Sequence, residues 1–559
     1  MRRRAGSLLL ALATVAACAG CAAMPDQRRD TFGIDFRLPE PPDETSAIVF
    51  FVDGLNRQVF QELLAAGRLP TIQKYFIDRG LYADRCIVNI PAVTMANETS
   101  FVTGLFAGRH GVTGITWFDR TRLFFRNYEE VNQKNTLDGD YTAPTIFERL
   151  GGETTFSLFF QAHRGATKFV ENRLSAGPPY FFGWYQFVDR IALWRFDLVA
   201  QVAKVQGRFP RLVIAYLLAP DLEAFRSGVS SAAYRRAIEH ADAHIGRILR
   251  DLQTAGRLDR TLLILASDHG MMDTSRHWSI RNFLRDRLDL AVADHELADD
   301  VPFKIRLAYY RRTACVLAGS GERYRAIYLR KPRREASTQA RPGADAGFEN
   351  WLVRPSADDL RAYPTRQGRR IDLIQHLRET EAVDLLAYRA GPNRIHLVTK
   401  QGLVELTRAS PQDRRVAHRI LEGDDPLGYA KTVPASMLDG KPHDSEDWLE
   451  ASASTRYPDL VPQIMAYFDA PRSGDIIVFA QPSWDFAGRL KGGHGGVQPE
   501  EMITVLLMAG PGVPHERRLR PVRNVDVVPT LLGLLGRPVP ADLDGRNLLE
   551  PAAADSPRP

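Results

Sequence analysis

Cysteine is scarce in this chain: Cys18, Cys21, Cys86 and Cys315 are the only four in 559 residues. No cysteine-based metal site and no disulfide framework can be built from so few. Cys86 and Cys315, the two outside the N-terminal segment, are either a pair or two buried thiols, and both readings stand. An excess of one charge is missing too. Lys and Arg number 73 against 67 Asp and Glu, a formal net charge of +6. Arg2, Arg3 and Arg4 account for half of that excess, which leaves too little to call for a nucleic-acid partner. Long apolar runs are absent beyond the N-terminus, and no internal repeat is visible. What remains is ordinary globular composition, 44% hydrophobic and 25% charged, with length for one large core and a second unit.

The N-terminus carries an address. Three arginines precede an apolar run, Leu8 to Ala17, that is shorter than the ~20 residues a spanning helix needs. It reads as a signal peptide over residues 1–17. Val15-Ala16-Ala17-Cys18 resembles the lipobox of bacterial lipoproteins, whose cysteine is lipidated and becomes the new N-terminus; Cys21 is the rival site. The expectation is a chain anchored by lipid in a bacterial cell envelope, periplasmic or outer-membrane-associated, with residues 18–45 as a tether.

Apolar runs then alternate with helical patterns, the mark of an α/β fold with a largely parallel sheet. "AIVFFVDGL" delivers Asp53, "RLVIAYLLAPD" delivers Asp221, and "TLLILASDHGM" delivers Asp268 and His269. Open α/β sheets bind ligands outside the carboxyl edge of their strands. Three aspartates delivered there, one beside a histidine, point to a shared site. Between Ala232 and Gln253 a helix presents Tyr234, Ile238, Ala241, Ile245, Ile248 and Leu252 on one face; His240 and His244 read as surface residues of it. From 301 to 473 the strands shorten and charges become dense, so this segment is expected to be an inserted α+β cap. It splits a core of 46–300 and 474–550, with the chain returning at "DIIVFAQ" and a tail over 551–559.

Carboxylates and imidazoles without cysteine suit Zn²⁺ or a similar ion in a hydrolytic site. Asp53, Asp221, Asp268, His269 and His494, the last in "KGGHGGVQ", form that donor set. Thr94 stands where a strand-like run hands over to a helix. Such a hydroxyl is an N-cap, or a nucleophile activated by a nearby cation, with helix N–H groups to hold an anion.

The ordered set "VDGL", "PAVTMANETSFVTGLFAGRHGVTG", "APD", "SDHGM", "GGHGG" and "VRNVDVVPTLLGLLGRPVPADLDGRNL" resembles the alkaline phosphatase superfamily, most closely its nucleotide pyrophosphatase/phosphodiesterase branch. The resemblance implies an α/β/α sandwich and two zinc ions. Asp53, Thr94, Asp268 and His269 would hold one ion, Asp221 and His494 the other. Thr94 would be the nucleophile, forming a covalent phosphothreonine on a small phosphoester substrate. The chain departs from that pattern at Phe225, where the branch places a histidine ligand, at Ile115 in place of a phosphate-binding asparagine, and at Glu98 in place of a histidine. Phenylalanine cannot ligate and isoleucine cannot donate; Glu223 or Glu98 would have to stand in as an oxygen ligand. The rival readings are a catalytically degenerate relative that binds a ligand or partner, and a phosphomonoesterase or phosphotransferase. His110, His277, Trp117, Phe118 and Asp526 are expected to brace loops, fill the core or cap the final helix.

Overall fold

The computed structural model describes residues 45–550 apart from 131–132, 172, 207–208, 334–346, 487, 489 and 516. The signal peptide, the tether and the tail therefore lie outside the described residues, as does most of the loop between Pro332 and Asn350.

Two sheets organise the chain. In the first, five strands run parallel in the spatial order Thr261–Ala266, Ser46–Val52, Leu212–Leu217, Thr155–Leu158 and Lys168–Val170. Beyond Thr261–Ala266 lie Ile503–Ala509 and then Gly80–Ile87, each antiparallel to its neighbour. The strand Ser46–Val52 shows why the sheet must be covered twice. Ala47, Val49 and Phe51 join one buried cluster, Ile48, Phe50 and Val52 another, as expected of successive side chains on opposite faces. Helices Thr94–Thr103 and Val527–Leu534 cover the first face. Ala232–Thr254 covers the second and buries all six residues of its anticipated stripe. His240 is exposed and His244 half-buried. The fold is the α/β class with a mostly parallel central sheet.

The second sheet has eight strands and is antiparallel throughout. It includes Ile476–Ala480, which pairs with Tyr324–Leu329 and Val383–Gly391. The expected return to the core at residue 474 is therefore corrected. "DIIVFAQ" belongs to the second sheet, and the chain rejoins the first only at Ile503–Ala509. Both strands are apolar and buried on both faces, so neither composition nor period distinguishes their destinations.

Cys86 and Cys315 are free, buried thiols. Trp117 and Phe118 are fully buried, in keeping with packing rather than ligand stacking. His110 meets Ser100 Oγ at 2.9 Å and the Val112 amide at 3.2 Å. Asp526 accepts from the Arg523 and Arg546 amides and makes no side-chain cap on the Val527 helix. No helix among the described residues is long and apolar enough to cross a membrane.

Candidate active site

Strand geometry gathers the aspartates. Asp53 follows Ser46–Val52, Asp221 lies in the first turn of a helix that follows Leu212–Leu217, and Asp268 follows Thr261–Ala266. These three strands are neighbours in parallel register, so their carboxyl ends open onto one place. Gly54 permits the close approach. Its φ is +65°, and a Cβ there would sit 2.9 Å from the Asp221 Cα.

Thr94 opens its helix at the same edge, with its Oγ1 3.2 Å from His269 Nε2. His269 Nε2 lies 3.5 Å from Asp53 Oδ1 and 3.3 Å from Asp268 Oδ2. His494 Nε2 lies 3.8 Å from Asp221 Oδ1. The two imidazoles stack with centroids 3.6 Å apart. Two donor groups result, Asp53–Asp268–His269 and Asp221–His269–His494, each with ligand atoms within 4.8 Å of one another. The structure thus brings all six anticipated residues, Asp53, Thr94, Asp221, Asp268, His269 and His494, to one buried place.

The donor set fits divalent cations. Asp53 Oδ1, Asp221 Oδ1 and Asp268 Oδ2 are buried without a hydrogen-bond partner, a costly arrangement that a cation offsets. Each imidazole faces a carbonyl through Nδ1, His269 that of Gly270 at 3.1 Å and His494 that of Ala92 at 2.8 Å. With the proton held at Nδ1, the Nε2 lone pair is free to ligate. Burial, then repulsion from Asp221 and Asp268, holds the Asp53 carboxyl well above the usual range. Burial and then the Asp268 charge do the same at Asp221. Burial pushes His269 down to about 3 and His494 well below its ordinary value. Three acids crowded out of water and two imidazoles kept neutral make a site lacking positive charge.

Several positioning residues carried no signal in the sequence. The Tyr216 hydroxyl donates to Asp53 Oδ2. Asp189, with its pKa pushed up to about 8 by burial, accepts from the Leu218 and Ala219 amides and fixes the turn ahead of Asp221. Asn97 is the hub of the nucleophile segment. Its amide donates to the carbonyls of Asn89, Pro91 and Val93, and its Oδ1 accepts from the Asn89 N–H and Asn524 Nδ2. Each is polar, and only the fold reveals that it is buried.

The substitute ligands are corrected by the geometry. Both Glu223 oxygens are taken by Arg226 Nη2, at 2.6 and 2.7 Å. Glu98 Oε2 accepts from the Gln161 and Ala162 amides. Neither joins a donor group among the described residues. The Phe225 ring lies 5.4 Å from that of His494, centroid to centroid. Ile115 packs into the core, its amide donating to Ser320 Oγ. His277 pairs with Asp485, away from the donor groups.

The profile of the type I phosphodiesterase / nucleotide pyrophosphatase family matches residues 47–502. The venom phosphodiesterase of Naja atra is 22% identical over 239 residues, 42% of this chain and 27% of that protein. Ectonucleotide pyrophosphatase/phosphodiesterase family member 1 of Mus musculus is 23% identical over 295 residues, 49% of this chain and 30% of its own. The matched stretch thus spans about a third or less of these relatives. In three dimensions, murine ectonucleotide pyrophosphatase/phosphodiesterase 5 is similar at a TM-score of 0.54 and 14% identity, covering 89% of this chain and 96% of its own. An inactive threonine-to-alanine variant of it in complex with AMP gives the same TM-score at 15% identity, covering 90% and 99%.

Proposed function

Because the chain belongs to the type I phosphodiesterase / nucleotide pyrophosphatase family, we propose that it hydrolyses phosphodiester or pyrophosphate bonds of a small substrate through Thr94. One observation carries the reading: a hydroxyl at a helix N-terminus, 3.2 Å from His269 Nε2, beside three buried carboxylate oxygens without partners. Asp53, Asp268 and His269, with Thr94, would hold one divalent ion, and Asp221 with His494 a second. Zn²⁺ suits such nitrogen and oxygen donors. When bound, such ions lower the pKa of a hydroxyl and neutralise charge on the leaving oxygen.

Thr94 Oγ1 gives up its proton to solvent and attacks phosphorus. The Oγ1–P bond forms as the bond from phosphorus to the leaving oxygen breaks, and that oxygen departs with a proton from solvent. The first N–H groups of the Thr94–Thr103 helix, which have no acceptors within it, hold the phosphoryl oxygens. Water splits the resulting phosphothreonine and restores the hydroxyl. Turnover of a generic aryl phosphodiester, present with metal and lost with chelator, tests this. Two tightly held metals with no phosphoester turned over would favour the binding-protein reading, to which Phe225 and Ile115 lend weight.

Phe225 lies one helical turn after Asp221, the spacing at which side chains share a helix face. Phe225→His is accordingly expected to raise bound metal toward two per chain and turnover severalfold. Elemental analysis alongside kinetics reads both, and no change in either removes this account of the second site. The lipobox further supports anchoring in a bacterial cell envelope through Cys18. Cys18→Ser is expected to lose incorporation of labelled fatty acid while Cys21→Ser keeps it, and the opposite result would assign the anchor to Cys21.

A further inference from the structure

A run of aromatic side chains lies exposed beside the site without serving it. Phe181 is 84% exposed, Phe182 and Trp184 are each 62% exposed, and Tyr180 and Phe187 are exposed as well. They occupy the end of one helix, the turn after it and the start of the next, Tyr185–Gln206. Within the patch Tyr180 packs edge-on against Phe181, and Phe182 against Trp184 at 5.5 Å. Such surface is costly in water, and contiguous patches mark an interaction site.

The patch is tied to the catalytic edge. Arg226, on the helix that carries Asp221, donates to the Gly183 carbonyl at 3.0 Å and stacks over the Tyr185 ring. Burial, then Tyr185, Glu129, Asp221 and Asp53 in turn, raise the Tyr180 hydroxyl above its ordinary range. The exposed charge nearby is of both signs, Glu129 beside Tyr180 and Arg190 on the following helix. Arg190 points to solvent, while the adjacent Asp189 is turned inward onto the Leu218 and Ala219 amides.

We propose that this Tyr180–Phe187 face seats in the headgroup zone of an anionic phospholipid bilayer. Trp, Tyr and Phe together favour that zone, where an apolar ring and a polar edge are both satisfied. Arg190 on the same face meets the negative lipid surface. Proximity rests on the anchored placement proposed above: residues 19–44 separate Cys18 from Thr45, at most about 95 Å of chain, which keeps the body at the membrane. The hydrolytic reading is not required.

The test uses the native acylated chain in vesicles of phosphatidylglycerol and phosphatidylethanolamine, with brominated or ordinary acyl chains. Bromine quenches tryptophan only on contact, so brominated lipid is expected to dim the emission. Trp184→Phe should lose most of that quenching. Phe181→Ser with Phe182→Ser should lose it while the protein stays on the vesicles and still cleaves a soluble aryl phosphodiester at the parent rate. Quenching that is absent, or unchanged in these variants, overturns the proposal. So does a sedimenting dimer that the two serines dissociate, which would assign the face to a second copy of the chain. Loss of aryl phosphodiesterase activity in the parent would count against the hydrolytic reading alone.

Discussion

Thr94→Ala is expected to lower turnover by at least about 10³-fold, the scale on which removal of a covalent nucleophile acts, with the fold intact. The side chain is buried, and its hydroxyl meets His269 Nε2. Alanine deletes that contact and a methyl, yet it is the better helix former at the start of Thr94–Thr103. The melting temperature should therefore move little, which separates loss of chemistry from loss of structure. Thr94→Ser keeps the hydroxyl and should retain part of the rate. Steady-state kinetics on one aryl phosphodiester reads all three proteins. An alanine variant that keeps a tenth of the parent rate would show that the bond is broken by something other than this hydroxyl.

Stripping metal should have an equally large effect on activity and an instructive one on stability. Asp53, Asp221 and Asp268 are buried together; Asp221 and Asp268 raise the cost of ionising Asp53, and Asp268 that of ionising Asp221. A chelator removes the charge that would balance them. Activity should vanish and the melting temperature fall, since an ion at about 1,000 times its Kd contributes roughly 4 kcal/mol. Asp268→Asn should abolish metal-dependent turnover as well. In chelator, however, it should melt above the parent. Asparagine keeps an oxygen to accept from the Gly54 and His269 amides, as Asp268 Oδ1 does at 3.2 and 3.0 Å, and it removes one of the crowded charges. Calorimetry of both proteins with zinc and with chelator decides it. An asparagine variant that melts below the parent under chelation would mean that repulsion is not what the metal relieves.

Much of the candidate site was legible because its parts lie where strands end. Asp53, Asp221 and Asp268 each close an apolar run, and runs of that kind in an alternating pattern become neighbouring parallel strands. Thr94 was legible through its place at a helix start. What escaped notice depends on contacts distant in sequence. Asn97 looks like any polar residue in a first turn until Asn524 arrives beside it. Glu223, two residues from Asp221, invited reading as a ligand, but Arg226 one turn on takes both its oxygens. The destination of Ile476–Ala480 was hidden for a different reason. A short, wholly apolar strand is equally at home in either sheet, and only its partners Tyr324–Leu329 and Val383–Gly391 decide between them.

The order of strands in the first sheet bears on when the protein becomes whole. Ile503–Ala509 lies between Gly80–Ile87 and Thr261–Ala266, so a place one strand in from Gly80–Ile87 is filled by a segment synthesised after both of its neighbours. Until then two earlier strands face each other across a gap with unpaired edges, a state prone to sticking to its own kind. A premature stop anywhere before residue 509 would leave a defective core rather than a shorter enzyme.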